Sequence, residues 1–356
     1  MDIEDNTDTV RFQESFLLVK KKLKELLVEF SQKIKKYKDV RCMGYTHLQP
    51  AEPTTLGYRF AFYAQDLLFD LKLLEFVGTQ LKGKGMKGAV GTAASYTKLL
   101  KKKEVTQMEQ DVMKDLGIDA VTIASQTAPR KIEYFIAITL TSIAQSLHKF
   151  AFDLRIMQSP GFGEWQEPFG KTQVGSSAMP FKRNPWKSEQ ICSLARLVFN
   201  LANIARDNAA NMLLERTLDD SANRRVFLPE IFLTIDEMLE SSILIVDGLV
   251  VNEKQIALNL EKFGQFSATE AILMEAVKRG GDRQELHEVL RELSMKAWEE
   301  MEENPDNSLT RFIIHDKKIL RFLKEEEIKD LLDPTKHIGL APEFCNKIRE
   351  EIDRAL

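Results

Sequence analysis

Five stretches of this chain, roughly 8–38, 55–81, 130–158, 186–213 and 228–251, carry apolar residues at the three- and four-residue spacing of a helix. Rods of that length are near or beyond the upper end for globular helices, so they must pack side by side in an elongated bundle. In the second rod, Phe60, Phe62, Tyr63, Leu67, Leu68, Phe69, Leu71, Leu73 and Leu74 leave little polar surface. A helix apolar most of the way round has to be buried, and one bundle is hardly thick enough to do it, so association between copies is implied. Strand-like alternation bounded by hairpin signals is nearly absent, and the expected fold class is all-α.

Past Val251 the pattern changes to shorter, more charged helices broken at Gly264, Gly280-Gly281, Pro305 and Pro334. This divides the chain into a long-helix bundle over 1–251 and a smaller helical C-terminal domain over 252–356. A length of 356 residues, 44% hydrophobic and 29% charged, allows more than one hydrophobic core. The net charge of −4 comes from 50 basic and 54 acidic residues intermixed along the chain, which favours no nucleic-acid partner. The lysine runs at Lys20–Lys24 and Lys98–Lys103 read as solvated faces. Cys42, Cys192 and Cys345 are widely spaced and form no Cys-x-x-Cys pair, which argues against a disulfide framework or a zinc site. No apolar run approaches the ~20 residues that span a bilayer, and the N-terminus is acidic where a signal peptide is basic. The expectation is a soluble, cytoplasmic protein with no membrane contact.

The densest chemistry lies in Gly175-Ser176-Ser177-Ala178-Met179-Pro180-Phe181-Lys182-Arg183-Asn184-Pro185. Gly175 and Pro180 exclude an ordinary helix interior. The resulting loop can aim backbone N–H groups and the Ser176 and Ser177 hydroxyls at one anion, with Lys182 and Asn184 adding charge and an amide donor. A carboxylate or an enolate-like dianion is the natural ligand; a plain surface turn is the simpler alternative. Pro185 occupies a first helical position, which puts Glu189 on the opening turns of the fourth rod.

Of the five histidines, only His47 sits among small polar groups on a segment that Pro50 and Pro53 keep from being helical, with Thr54 or Thr55 placed to cap the second rod. Arg216, Ser221 and Arg225 put two guanidinium forks and a hydroxyl into a ten-residue turn suited to phosphate or dicarboxylate recognition. The alternative is that these arginines only pair with Glu215, Asp219 and Asp220.

The pattern Gly-Ser-Ser-x-Met-Pro-x-Lys-x-Asn, with Glu five residues later, resembles the signature loop of the fumarase/aspartase superfamily, whose members release fumarate. Thr46-His47-Leu48-Gln49-Pro50 resembles another element of it, and Arg216-Thr217-Leu218-Asp219-Asp220-Ser221-Ala222-Asn223-Arg224-Arg225 narrows the likeness to the adenylosuccinate lyase family. Ser125-Gln126-Thr127, Gln166-Glu167-Pro168-Phe169, Ser193-Leu194-Ala195-Arg196 and Gly280-Gly281-Asp282-Arg283-Gln284 extend it over essentially the whole chain. The resemblance implies β-elimination of fumarate from succinyl-AMP, and from an earlier imidazole ribotide, in purine nucleotide synthesis. It implies Ser176 as the base and His47 as the acid. Thr46, Gln126, Lys182, Asn184, Arg216, Ser221 and Arg225 would contact substrate, supported by Ser177, Met179 and Glu189. It implies no metal or other cofactor, and a homotetramer whose active sites each draw on three subunits. A signature loop hinged at Gly161, Gly163, Gly170 and Gly175 would close over substrate, leaving about 160–180 weakly ordered in an empty enzyme.

Two departures accompany the likeness. Met1 resembles the start of the family's central domain, which suggests that a preceding domain, with a further histidine, is missing. Gln190 stands where close relatives carry a basic residue, which puts use of both purine-pathway substrates in question. The competing readings are a non-catalytic helical scaffold and another fumarate-releasing lyase; the latter fits the signature loop but not the Arg216–Arg225 segment.

Overall fold

A computed structural model describes residues 1–170, 179, 181–303 and 308–356. The five rods are α1 (Glu4–Tyr37), α2 (Leu56–Gly78), α4 (Lys131–Met157), α5 (Trp186–Ala210) and α6 (Ser221–Asp247), with the shorter α3 (Lys102–Asp115) between the second and third. All-α therefore describes the architecture, apart from two small two-stranded sheets among the described residues. β1 (Arg41–Thr46) pairs antiparallel with β2 (Gln49–Thr55), and β3 (Trp165–Gln166) with β4 (Val250–Val251).

The rods alternate in direction, and one core runs along them. Phe30, Phe60, Tyr63, Phe150 and Trp165 interlock at its centre through edge-on and stacked ring contacts. The later helices are α7 (Glu253–Ser267), α8 (Thr269–Lys278), α9 (Arg283–Glu303), α10 (Leu309–Ile313), α11 (Glu325–Leu331) and α12 (Ala341–Ala355). Residues from Ala268 to Leu332 enclose a second, smaller core. The last helix returns to the bundle, where Cys345, Ile348 and Ile352 join the main core.

Two local expectations change. The fifth rod begins at Ser221, seven positions earlier than the apolar pattern suggested, and runs through Pro229 instead of starting beside it. Proline removes one helical hydrogen bond, but Phe227 and Ile231, both fully buried on either side of it, hold the helix in place. Ser221 to Arg225 thus lie on the first turns of a helix; only Arg216 to Asp220 form a turn. The segment carrying His47 is a β-hairpin and not irregular chain, with a register shift between Met43 and Tyr45.

On α2, Phe62, Asp66, Phe69, Leu73 and Phe76 recur at alternating four- and three-residue steps along one outward stripe. The three phenylalanines are 52%, 59% and 64% exposed. Rings recurring every seven residues leave an exposed apolar stripe along α2. Among the described residues no helix is long and apolar enough to cross a membrane.

Candidate active site

The chain's own path sorts the candidate residues into two groups. After α1 descends, the β1–β2 hairpin turns at His47 and Leu48, whose φ angles of 55° and 60° lie in the left-handed region. Two such residues in succession make the tight turn that matches strand twist. They hold the exposed Thr46 and His47 at the tip, and a left-handed histidine without a following glycine is the kind of strain found at working sites. Behind the turn, Thr55 Oγ1 accepts from Tyr58 N at 3.2 Å and caps α2.

The same end receives the base of the signature loop. Glu167 is buried, and its carboxylate accepts from Ser188 N at 2.5 Å and Lys187 N at 3.3 Å, so it caps α5 from across the loop. Burial pushes its carboxyl up from the ordinary glutamate range, and the hydrogen bonds from Ser188 and Lys187 oppose that shift. Gln158 ties both sides, accepting from Glu167 N at 3.0 Å and donating to Arg183 O at 3.0 Å. Lys182, exposed, follows Met179, its N–H donating to Met179 O at 3.0 Å. Asn184 is half-buried, and Glu189 is exposed on the first turn of α5. Ser176 and Ser177, with the rest of 171–178 and residue 180 of the loop expected to move, lie outside the described residues.

The second group is at the other end. Gln126 N donates to Glu215 O at 3.1 Å, which brings Gln126 beside Arg216. Arg216 Nη1 donates to Asp220 Oδ1 at 3.0 Å, and the other Asp220 oxygen accepts from Arg130 Nε at 2.8 Å. Arg130 also reaches Asp5 at 3.3 Å and Glu133 at 3.1 Å. Arg224 pairs with Glu133 at 2.6 Å and Asp8 at 3.2 Å. Burial raises the Glu133 carboxyl above its ordinary range, against the pull of Arg224 and Arg130. The pairing alternative is therefore realised at Arg216, yet Arg216 Nε and Arg130 Nη2 are buried and have no hydrogen-bond partner. Arg225 is exposed, and its Nη1 donates to Ser221 Oγ at 2.9 Å.

Sequence reasoning passed over Arg130 and Arg224, and named Asp220 only as a possible partner of the arginines. A signal existed for Arg224: carried one turn back, the inward stripe of Ile231 and Phe227 reaches it, while Arg225 falls on the outward face.

The two groups are separated by the length of the bundle. The signature loop enters α5 at Trp186, and the Arg216 turn follows its far end; 25 helical residues at 1.5 Å each span ~37 Å. The candidate residues of one chain therefore fall into two separate groups: the His47 turn with the base of the signature loop, and a cluster of guanidinium groups.

A family model described as lyase matches residues 10–200, and one described as adenylosuccinate lyase C-terminus matches 265–348. Adenylosuccinate lyase of Saccharomyces cerevisiae is 37% identical over 99% of this chain and 74% of its own length. That of Archaeoglobus fulgidus is 33% identical over 100% of this chain and 78% of its own. Among solved structures, 3-carboxy-cis,cis-muconate lactonizing enzyme of Pseudomonas putida superimposes with a TM-score of 0.86 at 24% identity, covering 98% of this chain and 75% of that one. A fumarate lyase of Mesorhizobium does so with a TM-score of 0.86 at 23% identity, covering 98% and 76%. These two likenesses concern the fold, but adenylosuccinate lyases 33–37% identical along 99–100% of this chain place it in the adenylosuccinate lyase family of C–N lyases.

Proposed function

We infer that this chain cleaves succinyl-AMP to AMP and fumarate by β-elimination, and acts likewise on the succinylcarboxamide imidazole ribotide, in purine nucleotide synthesis. The observation that carries this reading is the alignment with adenylosuccinate lyases along 99% of the chain; His47, Lys182, Asn184, Arg216, Ser221 and Arg225 carry side chains able to do the work.

Ser176 takes the proton from the carbon beside a succinyl carboxylate. The electron pair left on carbon forms the new C=C bond as the C–N bond breaks, and the pair of the broken bond stays on the purine-side nitrogen, which His47 protonates. Lys182, Asn184 and the loop amides stabilise the charge that builds on the carboxylate; a well-placed donor of this kind contributes ~3–4 kcal/mol in comparable oxyanion sites. Thr46 and Gln126 contact substrate, Arg216, Ser221 and Arg225 receive the phosphate, and Ser177, Met179 and Glu189 support the loop and the acid. The proposed chemistry is acid–base throughout and calls for no metal or other cofactor.

Half-sites ~37 Å apart cannot act on one nucleotide within one chain. We assign the chain to a homotetramer in which antiparallel neighbours bring the His47 end of one subunit to the arginine end of another, three subunits contributing to each site. The outward stripe of Phe62, Phe69 and Phe76 supplies a surface for such packing. The division at residue 251 belongs to the same proposal, supported by the separate core from Ala268 to Leu332. So does a cytoplasmic setting, which suits three free, buried cysteines. Gln190, a neutral side chain directly after Glu189, donates through Nε2 to Glu237 Oε1 at 3.4 Å, and we expect the two substrates to be used unequally.

The test is succinyl-AMP cleavage followed by ultraviolet absorbance for this chain and for His47→Ala, Ser176→Ala and Arg216→Gln. Each substitution should remove turnover, and mixing His47→Ala with Arg216→Gln subunits should restore part of it, because some sites in a mixed tetramer draw on unaltered halves. Turnover that survives His47→Ala overturns the assignment of the acid. Tetrameric mixtures that regain nothing overturn the shared site.

A further inference from the structure

The His47 turn is exposed, short and strained, yet a general acid must be held to within a fraction of an ångström. What holds it is one carboxylate. Glu164 is fully buried three residues before the Glu167 cap, with the core residue Trp165 between them. Its Oε2 accepts from Arg59 Nη1 of α2 at 2.9 Å. Its Oε1 accepts from Asn259 Nδ2 of α7 at 3.0 Å and from the Tyr45 hydroxyl at 3.4 Å. Asn259 Nδ2 also donates to Phe162 O at 2.9 Å.

Two of the three contacts, those of Arg59 and Tyr45, have a counterpart in the hairpin. In the strand register Met43 faces Pro53, and proline has no N–H to give. Arg59 Nη2 donates to Met43 O at 2.6 Å in its place, so Glu164 orients the group that satisfies the hairpin's unpaired carbonyl. Tyr45, two residues before His47, packs its ring edge-on against Phe162 at 4.9 Å. Burial, and then the Glu164 carboxylate, hold the Tyr45 hydroxyl far above its ordinary range, so it remains a donor. Gly44, at the register shift, permits the close approach of the two strands: a Cβ there would lie 2.6 Å from Glu52 O.

We propose that Glu164 is a positioning residue for the reaction: through Tyr45, Arg59 and Asn259 it fixes the His47 turn relative to the base of the signature loop and to the C-terminal helices. The proposal rests on the reading of His47 as the acid.

The test has an arm that needs no turnover. In the full-length chain, Glu164→Gln removes the charge that Arg59 meets and turns a donor toward a donor. Hydrogen exchange over residues 41–55 should quicken ~10-fold or more, while α4 and α5 are unchanged. In the second arm, kcat for succinyl-AMP should fall ~10-fold or more with KM nearly constant. The same substitution placed in His47→Gln should cost almost nothing further, since a residue acting through His47 has nothing left to act on. Unchanged exchange in the hairpin overturns the proposal, and so does an equal loss of kcat in both backgrounds. If Glu164→Gln does not fold, Tyr45→Phe removes a single bond to Glu164 and is read by the same two measurements, with smaller effects in the same direction. Should His47→Gln leave turnover intact, the assignment of the acid fails by itself, and the exchange arm still decides whether Glu164 holds the turn.

Discussion

At the hairpin end of the bundle a single carboxylate, Glu164, meets one guanidinium, one amide and one hydroxyl. At the far end three guanidiniums, from Arg130, Arg216 and Arg224, interleave with the carboxylates of Asp5, Asp8, Glu133 and Asp220. The first arrangement fixes a backbone turn and leaves its functional side chain exposed. The second fixes functional side chains directly, since Arg216 is itself a member of the network. Positioning by one carboxylate with a mixed shell and positioning by alternating charge should therefore fail differently: the first in geometry, the second in stability.

Arg130→Ala tests the far end most severely. Arg130 is 4% exposed and is shared by three carboxylates. Removing it strands them in a medium that solvates them poorly, and breaking buried pairs of this kind typically costs about 3–5 kcal/mol. Thermal and urea unfolding should both show the loss. A cost below about 1 kcal/mol would mean that water reaches the network and that it resembles a surface cluster.

The loop base should respond more mildly. Glu167→Ala deprives α5 of the acceptor for its first N–H groups, an effect comparable to losing a helix cap, about 1–2 kcal/mol. The same change frees one side of the signature loop, so kcat should fall more than stability does. Loss of stability with kcat intact would show that Glu167 serves the helix alone.

Between the two ends, Asp70 supplies a buried carboxylate with no cation in its hydrogen-bonding shell. It accepts from Ser142 Oγ at 2.5 Å through one oxygen, while Oδ2 has no partner. Burial raises its carboxyl above the ordinary aspartate range. The folded state thus binds the proton more tightly than the unfolded chain. The stability this group contributes is present below the ordinary aspartate range and is lost as pH rises through the raised folded value. Asp70→Asn never ionises and should be more stable at about pH 8, by the roughly 1 kcal/mol scale of an unsatisfied buried group, with the gap closing toward pH 4. A gap independent of pH would mean that the Asp70 carboxyl ionises in the folded protein as it does in the unfolded chain, as it would if water reached it.

The five rods were legible because their burial depends on the very periodicity that a sequence displays. The start of α6 was not: Pro229 looks like a first-turn residue, and nothing local shows that Arg224 will find Glu133 and Asp8, 91 and 216 residues away. The His47 hairpin escaped for a related reason. Its second strand carries Pro50 and Pro53, its turn lacks the usual Asn-Gly, and it persists because Arg59 and Glu164 supply bonds from other elements. Residue types suited to chemistry were visible at both ends, whereas the side chains that hold them were visible at neither, since ion pairs and buried acceptors leave no spacing in the chain.

The smallest expected change in stability, and the sharpest test of the contrast, is at Arg225. It stands outside the ion network, exposed, bonded to the Ser221 hydroxyl and to the Ser221 carbonyl at 3.1 Å one turn back. Arg225→Gln should leave unfolding within about 0.5 kcal/mol of the parent, as for most surface substitutions. If Arg225 meets the phosphate, the same change removes a charge-assisted pair worth roughly 1.5–3 kcal/mol, raising KM about 10- to 100-fold while kcat moves little, because the phosphate is remote from the bond that breaks. Added salt should narrow the difference by screening the pair. Stability loss without a change in KM would make Arg225 an outlying part of the far-end network and leave Arg216 and Ser221 to receive the phosphate. A rise in KM at constant stability would separate the guanidinium that meets the ligand from those that hold the fold, though Arg224 and Arg225 are adjacent in sequence.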